Sequence, residues 1–228
     1  VNEGRPYSVT ELSEVLDVDK SSVSRLLRTM ENYGYIQKMP DAREYGIGKR
    51  MYAIGWQLAQ PESLRESAKP VLETLAAKTG ECAHIGMYSS GKVLVTEDVQ
   101  PEISLLRVVG GAGRVIHMHN TALGKCLLAY GDFPMPTDLP FFTEKTMTDM
   151  TALREHLTTV CEQGYALDDE ENESGVRCLA APIFDERGLA IAAIGISGPT
   201  VRMLPERLER LAYLVQRAAR QLSRSITS

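Results

Sequence analysis

Cys178, His117, His119 and Asp168 are the residues of this 228-residue chain with the composition of nucleophile, base and orienter. A thiol beside an imidazole and a carboxylate can carry covalent chemistry, so these four define the enzymatic reading. Cys178 lies inside the largely apolar strand-like run "RCLAAPIF", where a thiol stays protonated and inert. No nucleophile-elbow or oxyanion-loop pattern accompanies it. His117-x-His119 puts two imidazoles on one side of a strand, with Cys126 or Cys178 as further donors. Zinc sites declare themselves by two close-spaced pairs, and only one pair occurs here. The "GIGK" of Gly46 to Lys49 lacks the full spacing of a phosphate loop. The reading is a protein that is not an enzyme and carries no metal or other cofactor, with a small-acid hydrolase or a DNA-independent ligand sensor as the alternative.

A second set suits phosphate and base recognition. In "KSSVSRLLRTMENYG", Ser21, Ser22, Arg25 and Arg28 share one helical face with Thr29 and Asn32. Amides and hydroxyls at a helix start donate to phosphate, and an arginine a turn later can take guanine O6 and N7 in two bonds.

The flanking sequence supplies the elements that must hold this face outward. Ser8-Val9-Thr10-Glu11 is a capping box. Val9, Leu12, Val15 and Leu16 then recur at helical spacing, and Asp19 is a good N-cap for the second helix. Val23, Leu26, Leu27 and Met30 form its apolar stripe, and Gly34 ends it. Two short strands, "YIQKM" and "YGIG", follow. The connection Pro40 to Glu44 is turn-forming, and Lys38 and Arg43 sit near its tip. Helix, tight turn, helix and basic-tipped hairpin is the order of a winged helix-turn-helix. On the second helix alone, a capped helical hairpin with solvated arginines reads equally well; the hairpin and the serine-rich polar face favour DNA.

Residues 49–60, "KRMYAIGWQLAQ", read as a connecting helix, with Trp56 either a helix-packing residue or a dimer contact and packing the preferred reading, and Pro61-Glu62-Ser63 starts the next. Beyond it the pattern predicts a helix over 64–79 and a hairpin of "AHIGMY" and "VLVTEDV". Next come strands "SLLRVV" and "RVIHM" around the glycines 110–113, then helices from Thr121 and Thr151. "YALDD", a hairpin of "RCLAAPIF" and "LAIAAIGIS", and a last helix from Pro205 complete the chain. Strands in hairpins with helices before and after indicate an α+β domain with a mostly antiparallel sheet. In that domain Gly110, Gly111 and Gly113 allow close approach to a ligand, and the free amides at Asn120 to Gly124 favour a carboxylate. Gly195 and Ser197 share a strand face, with Cys178 on the neighbouring strand and Asp168 ending another.

Composition excludes little more. The chain is 43% hydrophobic and its net charge is −5, but residues 1–60 hold 8 basic and 8 acidic residues, a neutral segment that can still bind phosphate through one face. No run of about 18 apolar residues spans a membrane. The four cysteines form no CxxC pair, which suggests reduced thiols in a cytoplasmic protein.

Three blocks carry a family resemblance. "TELSEVLDVDKSSVSRLLRTMENYGYIQK" resembles the DNA-binding segment of the IclR family of bacterial transcription regulators. "HNTALGKCLLAY" (His119 to Tyr130) resembles its effector-domain helix start, and "GVRCLAAPIFDERGLAIAAIGISGP" (Gly175 to Pro199) its two final strands. The resemblance implies a winged helix-turn-helix over 1–48, a linker helix over 49–63 and a GAF-like effector domain over 64–228. The family places a further helix before the capping box, where this sequence has "VNEGRPY". It implies a double-stranded DNA operator contacted by Ser21, Ser22, Arg25, Arg28, Lys38 and Arg43, and a homodimer or tetramer. Carried over by position, effector contacts fall at Leu105, Ile116, Ala122, Leu123, Asp168, Cys178, Gly195 and Ser197. The effector expected is a small organic or aromatic acid, and repression is the expected mode.

Overall fold

The structure, a computed structural model, describes residues 6–39, 43–48, 50–51, 54, 62–101 and 111–226. The chain divides into two compact units, residues 1–59 and 60–228. Most of the expected linker helix, the strand "SLLRVV", Gly110 and Leu105 lie outside the described residues.

In the first unit, β1 (Tyr7–Ser8) leads into α1 (Val9–Leu16) and α2 (Lys20–Asn32), followed by β2 (Ile36–Lys38) and β3 (Glu44–Ile47). The capping box forms: the Glu11 amide donates to Ser8 Oγ at 3.2 Å, and the Ser8 amide to Glu11 Oε2 at 2.8 Å. Gly34 adopts φ +73°, the left-handed conformation that a helix-terminating glycine takes without strain. The three strands pair antiparallel in the order β1-β3-β2, so a two-residue strand not foreseen from the sequence closes the wing sheet.

The apolar stripes are only half covered. Val23 and Leu27 are buried, but Leu26 is 53% exposed, and α1 buries none of its residues. Two short helices and a three-stranded ribbon cannot cover both sides of each helix, so Val15, Leu16 and Leu26 face outward among the described residues.

The second unit is α+β. Its elements are α3 (Glu62–Thr79), β4 (Cys82–Ser89), β5 (Lys92–Val99), β6 (Val115–Ile116), α4 (Ala122–Tyr130), α5 (Met150–Gln163), β7 (Ala166–Asp169), β8 (Val176–Phe184), β9 (Ala190–Pro199) and α6 (Pro205–Ile226). Six strands form one antiparallel sheet in the order β6-β5-β4-β9-β8-β7. Strand alternation gives it two apolar faces. Val93, Val95, Ala180 and Ala193 pack with Leu123, Leu127, Leu153 and Leu157 of α4 and α5. The alternate residues Leu179, Ala181, Ile183, Ala192, Ile194 and Ile196 are buried on the other face, and α3 and α6 pack on the sheet and on each other. The GAF-like architecture is thus a sheet between two helical layers.

Helix α4 positions the site. Thr121 caps it by accepting from the Gly124 amide at 3.2 Å, and residues 122–128 are all buried. Gly124 permits this burial, because a Cβ there would lie 2.3 Å from the Met118 carbonyl oxygen.

Candidate functional site

The first unit presents a polar helix face. Ser21, Arg25 and Arg28 on α2 are exposed and Ser22 is half-buried, while Val23 and Leu27 anchor the opposite side. Lys38, at the end of β2, and Arg43, just before β3, are also exposed; Pro40 to Ala42 between them lie outside the described residues.

The helix start differs from the expectation. Asp19 Oδ1 accepts from the amides of Ser21 and Ser22 at 3.1 and 3.0 Å and from Ser21 Oγ at 2.5 Å. These bonds, the Ser21 hydroxyl's foremost, hold the Asp19 carboxyl well below its ordinary range. Those amides serve the N-cap and are not open to phosphate. The outward cations on this face are Arg25 and Arg28.

The second unit holds a cleft that is partly open to solvent. Its floor is the α4 face of the sheet. Strand register aligns Cys82 on β4 with Ser197 on β9, Ser197 with Cys178 on β8, and Cys178 with Asp168 on β7, and all four line the cleft. Ser197 Oγ donates to Cys178 Sγ at 3.0 Å, and Gln100 Nε2 to Cys82 Sγ at 3.1 Å. His84, the next residue of β4 on this face, lies across from Asp98 on β5.

The opposite wall comprises Thr121, Ala122 and Leu123 at the start of α4, with Ile116 and Arg114 beside it. Thr121 Oγ1 takes the Gly124 amide. The Ala122 and Leu123 amides belong to the first helical turn, which has no intrahelical acceptors. The rim is Asn172, Glu173 and Val176, with Gly111 on the far side.

Burial sets the charge states. It pushes the Asp168 carboxyl up to about 7, against the opposing pull of Lys125 and of the Glu171 and Asn172 amides that Oδ1 accepts. It pushes His84 down to about 4, the Cys82 thiol up to about 12, and Cys178 well above its ordinary value. Cys178 is therefore a neutral thiol.

The imidazoles of the enzymatic reading bond elsewhere. His117 Nδ1 lies 2.8 Å from Lys92 Nζ, and His119 Nε2 is 3.1 Å from the Pro140 carbonyl oxygen. Among the described residues no cluster of three or more His, Cys, Asp or Glu is arranged to hold a metal ion.

Of the effector contacts expected by position, Ile116, Ala122, Leu123, Asp168, Cys178 and Ser197 line one cleft. Leu105 is outside the described residues. Gly195 does not line the cleft; a Cβ there would lie 2.5 Å from the Leu179 carbonyl oxygen, so its place is close packing against β8. Arg114, His84 and Asp98 were not foreseen. For Asp98 no local signal existed, because a bulge sets its direction: the partners pass from Ile85 with Glu97 to Gly86 with Val95, skipping Thr96. Simple alternation from Val95 points to Glu97 instead.

Comparison with known proteins accords with both units. The family profile "IclR helix-turn-helix domain" matches residues 2–40, and "Bacterial transcriptional regulator IclR C-terminal" matches residues 57–224. The HTH-type transcriptional regulator KdgR of Escherichia coli is 33% identical, over 98% of this chain and 87% of its own length. The Transcriptional repressor IclR of the same organism is 30% identical, over 95% of this chain and 81% of its own. Among solved structures, an IclR regulator from Alicyclobacillus acidocaldarius matches with TM-score 0.73 at 24% identity, over 99% of this chain and 92% of that one, a likeness of fold. The inducer-binding domain of PobR from Acinetobacter, crystallised as a double mutant with 3-hydroxybenzoic acid, matches with TM-score 0.62 at 25% identity, over 69% of this chain and 96% of that one. The chain belongs to the IclR family of bacterial transcriptional regulators, DNA-binding proteins and not enzymes.

Proposed function

We propose that this regulator is a cytoplasmic repressor whose operator binding is modulated by a small organic or aromatic acid bound in the cleft of its C-terminal unit. The observation that carries the reading is the coincidence of six positionally expected residues on one cleft that is lined by the first turn of α4. The first turn of a helix favours a carboxylate, through the amides that have no intrahelical acceptor and the local positive end of the helix dipole. Ser197 adds a hydroxyl and Cys178 a small neutral wall. The bound acid in the PobR inducer-binding domain supports a ligand of this class.

On the DNA side, Arg25 and Arg28, with Ser21 and Ser22, enter the major groove, while Lys38 and Arg43 on the wing hold phosphates. One recognition helix contacts too few base pairs for operator-level selection, so a homodimer or tetramer reads paired half-sites.

The test is a thermal-shift screen of sodium salts of small acids against the full chain. A ligand that binds only the folded state raises the melting temperature by mass action. At least one acid is expected to do so, and Ser197→Ala is expected to reduce that shift while leaving the unliganded melting temperature near the parent's. If no acid shifts the parent, the cleft is not an acid site.

A further inference from the structure

We infer that Arg177 and Arg202 are positioning residues that carry occupancy of the cleft to helices α3 and α6. The inference rests on the reading of this protein as an acid-modulated regulator, and it assigns the residues that set the size of the response.

Two rows of residues lie back to back across the sheet. The cleft floor is Asp168, Cys178, Ser197 and Cys82, each aligned with the next by strand register. One residue along each strand, on the α3 and α6 face, lie Asp169, Arg177, Gly198 and Glu81. Arg177 Nε and Nη2 both reach Asp169 Oδ1, at 2.6 and 2.5 Å. Its Nη1 donates to the Met203 carbonyl oxygen, in the turn that enters α6. Arg202, from the same turn, holds Glu81 in two bonds, Nε to Oε1 at 2.9 Å and Nη2 to Oε2 at 2.5 Å. Glu81 is 1% exposed. A Cβ on Gly198 would lie 2.3 Å from Glu81 Oε2, so the bare backbone there makes room for the pair. Arg207 of α6 donates to the Arg202 carbonyl oxygen at 2.6 Å and to that of Thr79, the last residue of α3, at 3.5 Å.

These bonds have direction, which the hydrophobic packing around them lacks. A planar guanidinium loses its paired bonds when either partner moves. Strand β7 is an edge strand, held in the sheet by β8 alone. A ligand group drawn to Asp168 therefore acts on the part of the floor that is easiest to move. Asp169, next in the chain, pulls on Arg177 and through it on the turn of residues 200–203. Glu81 adjoins Cys82 at the other end of the floor, and Arg202 ties it to that same turn. Both ends of the floor thus meet at one turn, which continues into α6 and reaches α3 through Arg207. The chain enters this unit from the DNA-binding unit through α3. None of Arg177, Arg202 and Glu81 lines the cleft, so removing them spares the acid's own contacts.

The test uses the full chain and a genomic fragment that it retains in a gel shift. The probe is whichever of sodium lactate, succinate, benzoate and 3-hydroxybenzoate raises the parent's melting temperature most. Anisotropy gives the ratio of operator affinities with and without saturating probe, and calorimetry gives the affinity for the probe. The parent's ratio is expected to be at least about fivefold. Arg177→Met leaves Asp169 its contact with Lys145 at 3.2 Å, and Glu81→Leu with Arg202→Met removes both charges of the buried pair. Each is expected to bring the ratio below about twofold, with probe affinity and unliganded operator affinity within about threefold of the parent's. Should the double variant fail to fold, Arg202→Lys keeps a counter-charge for Glu81 without the two-pronged hold, and is expected to lower the ratio likewise. A merely structural role would lower the melting temperature and leave the ratio at the parent's value. That outcome in any folded variant overturns the inference. A fall in probe affinity of more than about tenfold also overturns it, because these residues would then belong to the binding of the acid. If the parent's operator affinity is indifferent to the probe, the regulatory reading fails, and the inference falls with it.

Discussion

Lys125 Nζ lies 2.5 Å from Glu171 Oε1, with no exposed surface on the lysine and 8% on the glutamate side chain. The same ammonium donates to the Leu167 carbonyl oxygen. Lys125 sits on α4, whose first turn forms one wall of the cleft, and Glu171 precedes the rim residues Asn172 and Glu173. The Thr143 and Thr146 hydroxyls hold the Glu170 and Glu171 carbonyls from outside, at 2.7 and 2.6 Å. The pair thus ties the wall to the rim.

Breaking the pair from one side leaves a buried charge without its counterpart. Lys125→Met is expected to cost about 3–5 kcal/mol, whereas Lys125→Met with Glu171→Leu removes both charges and recovers most of that loss. Urea denaturation of the single and double variants measures the difference. A double variant as unstable as the sum of the singles would mean that the pair is not coupled.

Asp168 gives the C-terminal unit a pH signature. Its folded-state carboxyl, at about 7, lies above the ordinary 3.8, so between those values the folded protein binds more protons than the unfolded chain. This contribution to stability is therefore greatest below about pH 4, falls as pH rises through 7, and is constant above it. Asp168→Asn keeps an acceptor for the Glu171 and Asn172 amides and abolishes the titration. The stability of the variant minus that of the parent is expected to rise from pH 5 to pH 8. A difference independent of pH would place the Asp168 carboxyl at an ordinary value.

On the DNA face the two classes of arginine should separate. Arg28→Ala is expected to weaken operator binding by about 1–3 kcal/mol and to reduce selectivity over random sequence. Arg43→Ala is expected to weaken all sequences alike and to lower the slope of affinity against salt by about 1. Anisotropy titrations of selected and scrambled fragments at several salt concentrations distinguish the two. Equal effects of both substitutions on random DNA would contradict the division.

Asp19 adds a subtler case. Its carboxylate caps α2 and takes the Ser21 and Ser22 amides. Asp19→Ala is expected to destabilise the helix start by about 1 kcal/mol and also to remove a negative charge from the DNA-facing end. Nonspecific affinity should rise while the thermal stability of the first unit falls. A fall in both would mean that the cap's ordering of α2 dominates the electrostatic effect.

Much of this was legible in the amino-acid pattern because the signals were local. Ser8 and Glu11, Asp19 before Ser21, and Gly34 after Asn32 fix helix ends through bonds spanning two to four residues, and the structure forms them. Period-two alternation put Gly195 and Ser197 on one strand face, of which Ser197 lines the cleft and Gly195 does not. The rest depended on three-dimensional partners. Leu26 belongs to a helical stripe, but burial requires an element opposite it. Asp98 faces the cleft through a one-residue bulge, and His84 has meaning only beside it. Lys125 reads as a surface lysine until Glu171, 46 residues later, closes over it.

The central claim is that acid occupancy of the cleft changes affinity for DNA. The direct measurement is an anisotropy titration of a genomic fragment retained in gel shift by the full chain, at fixed salt, with and without a saturating acid from the thermal-shift screen. The account predicts at least a fivefold change in operator affinity, about 1 kcal/mol of coupling, with affinity for random DNA unchanged. An operator affinity that is the same with the cleft empty and filled would contradict it.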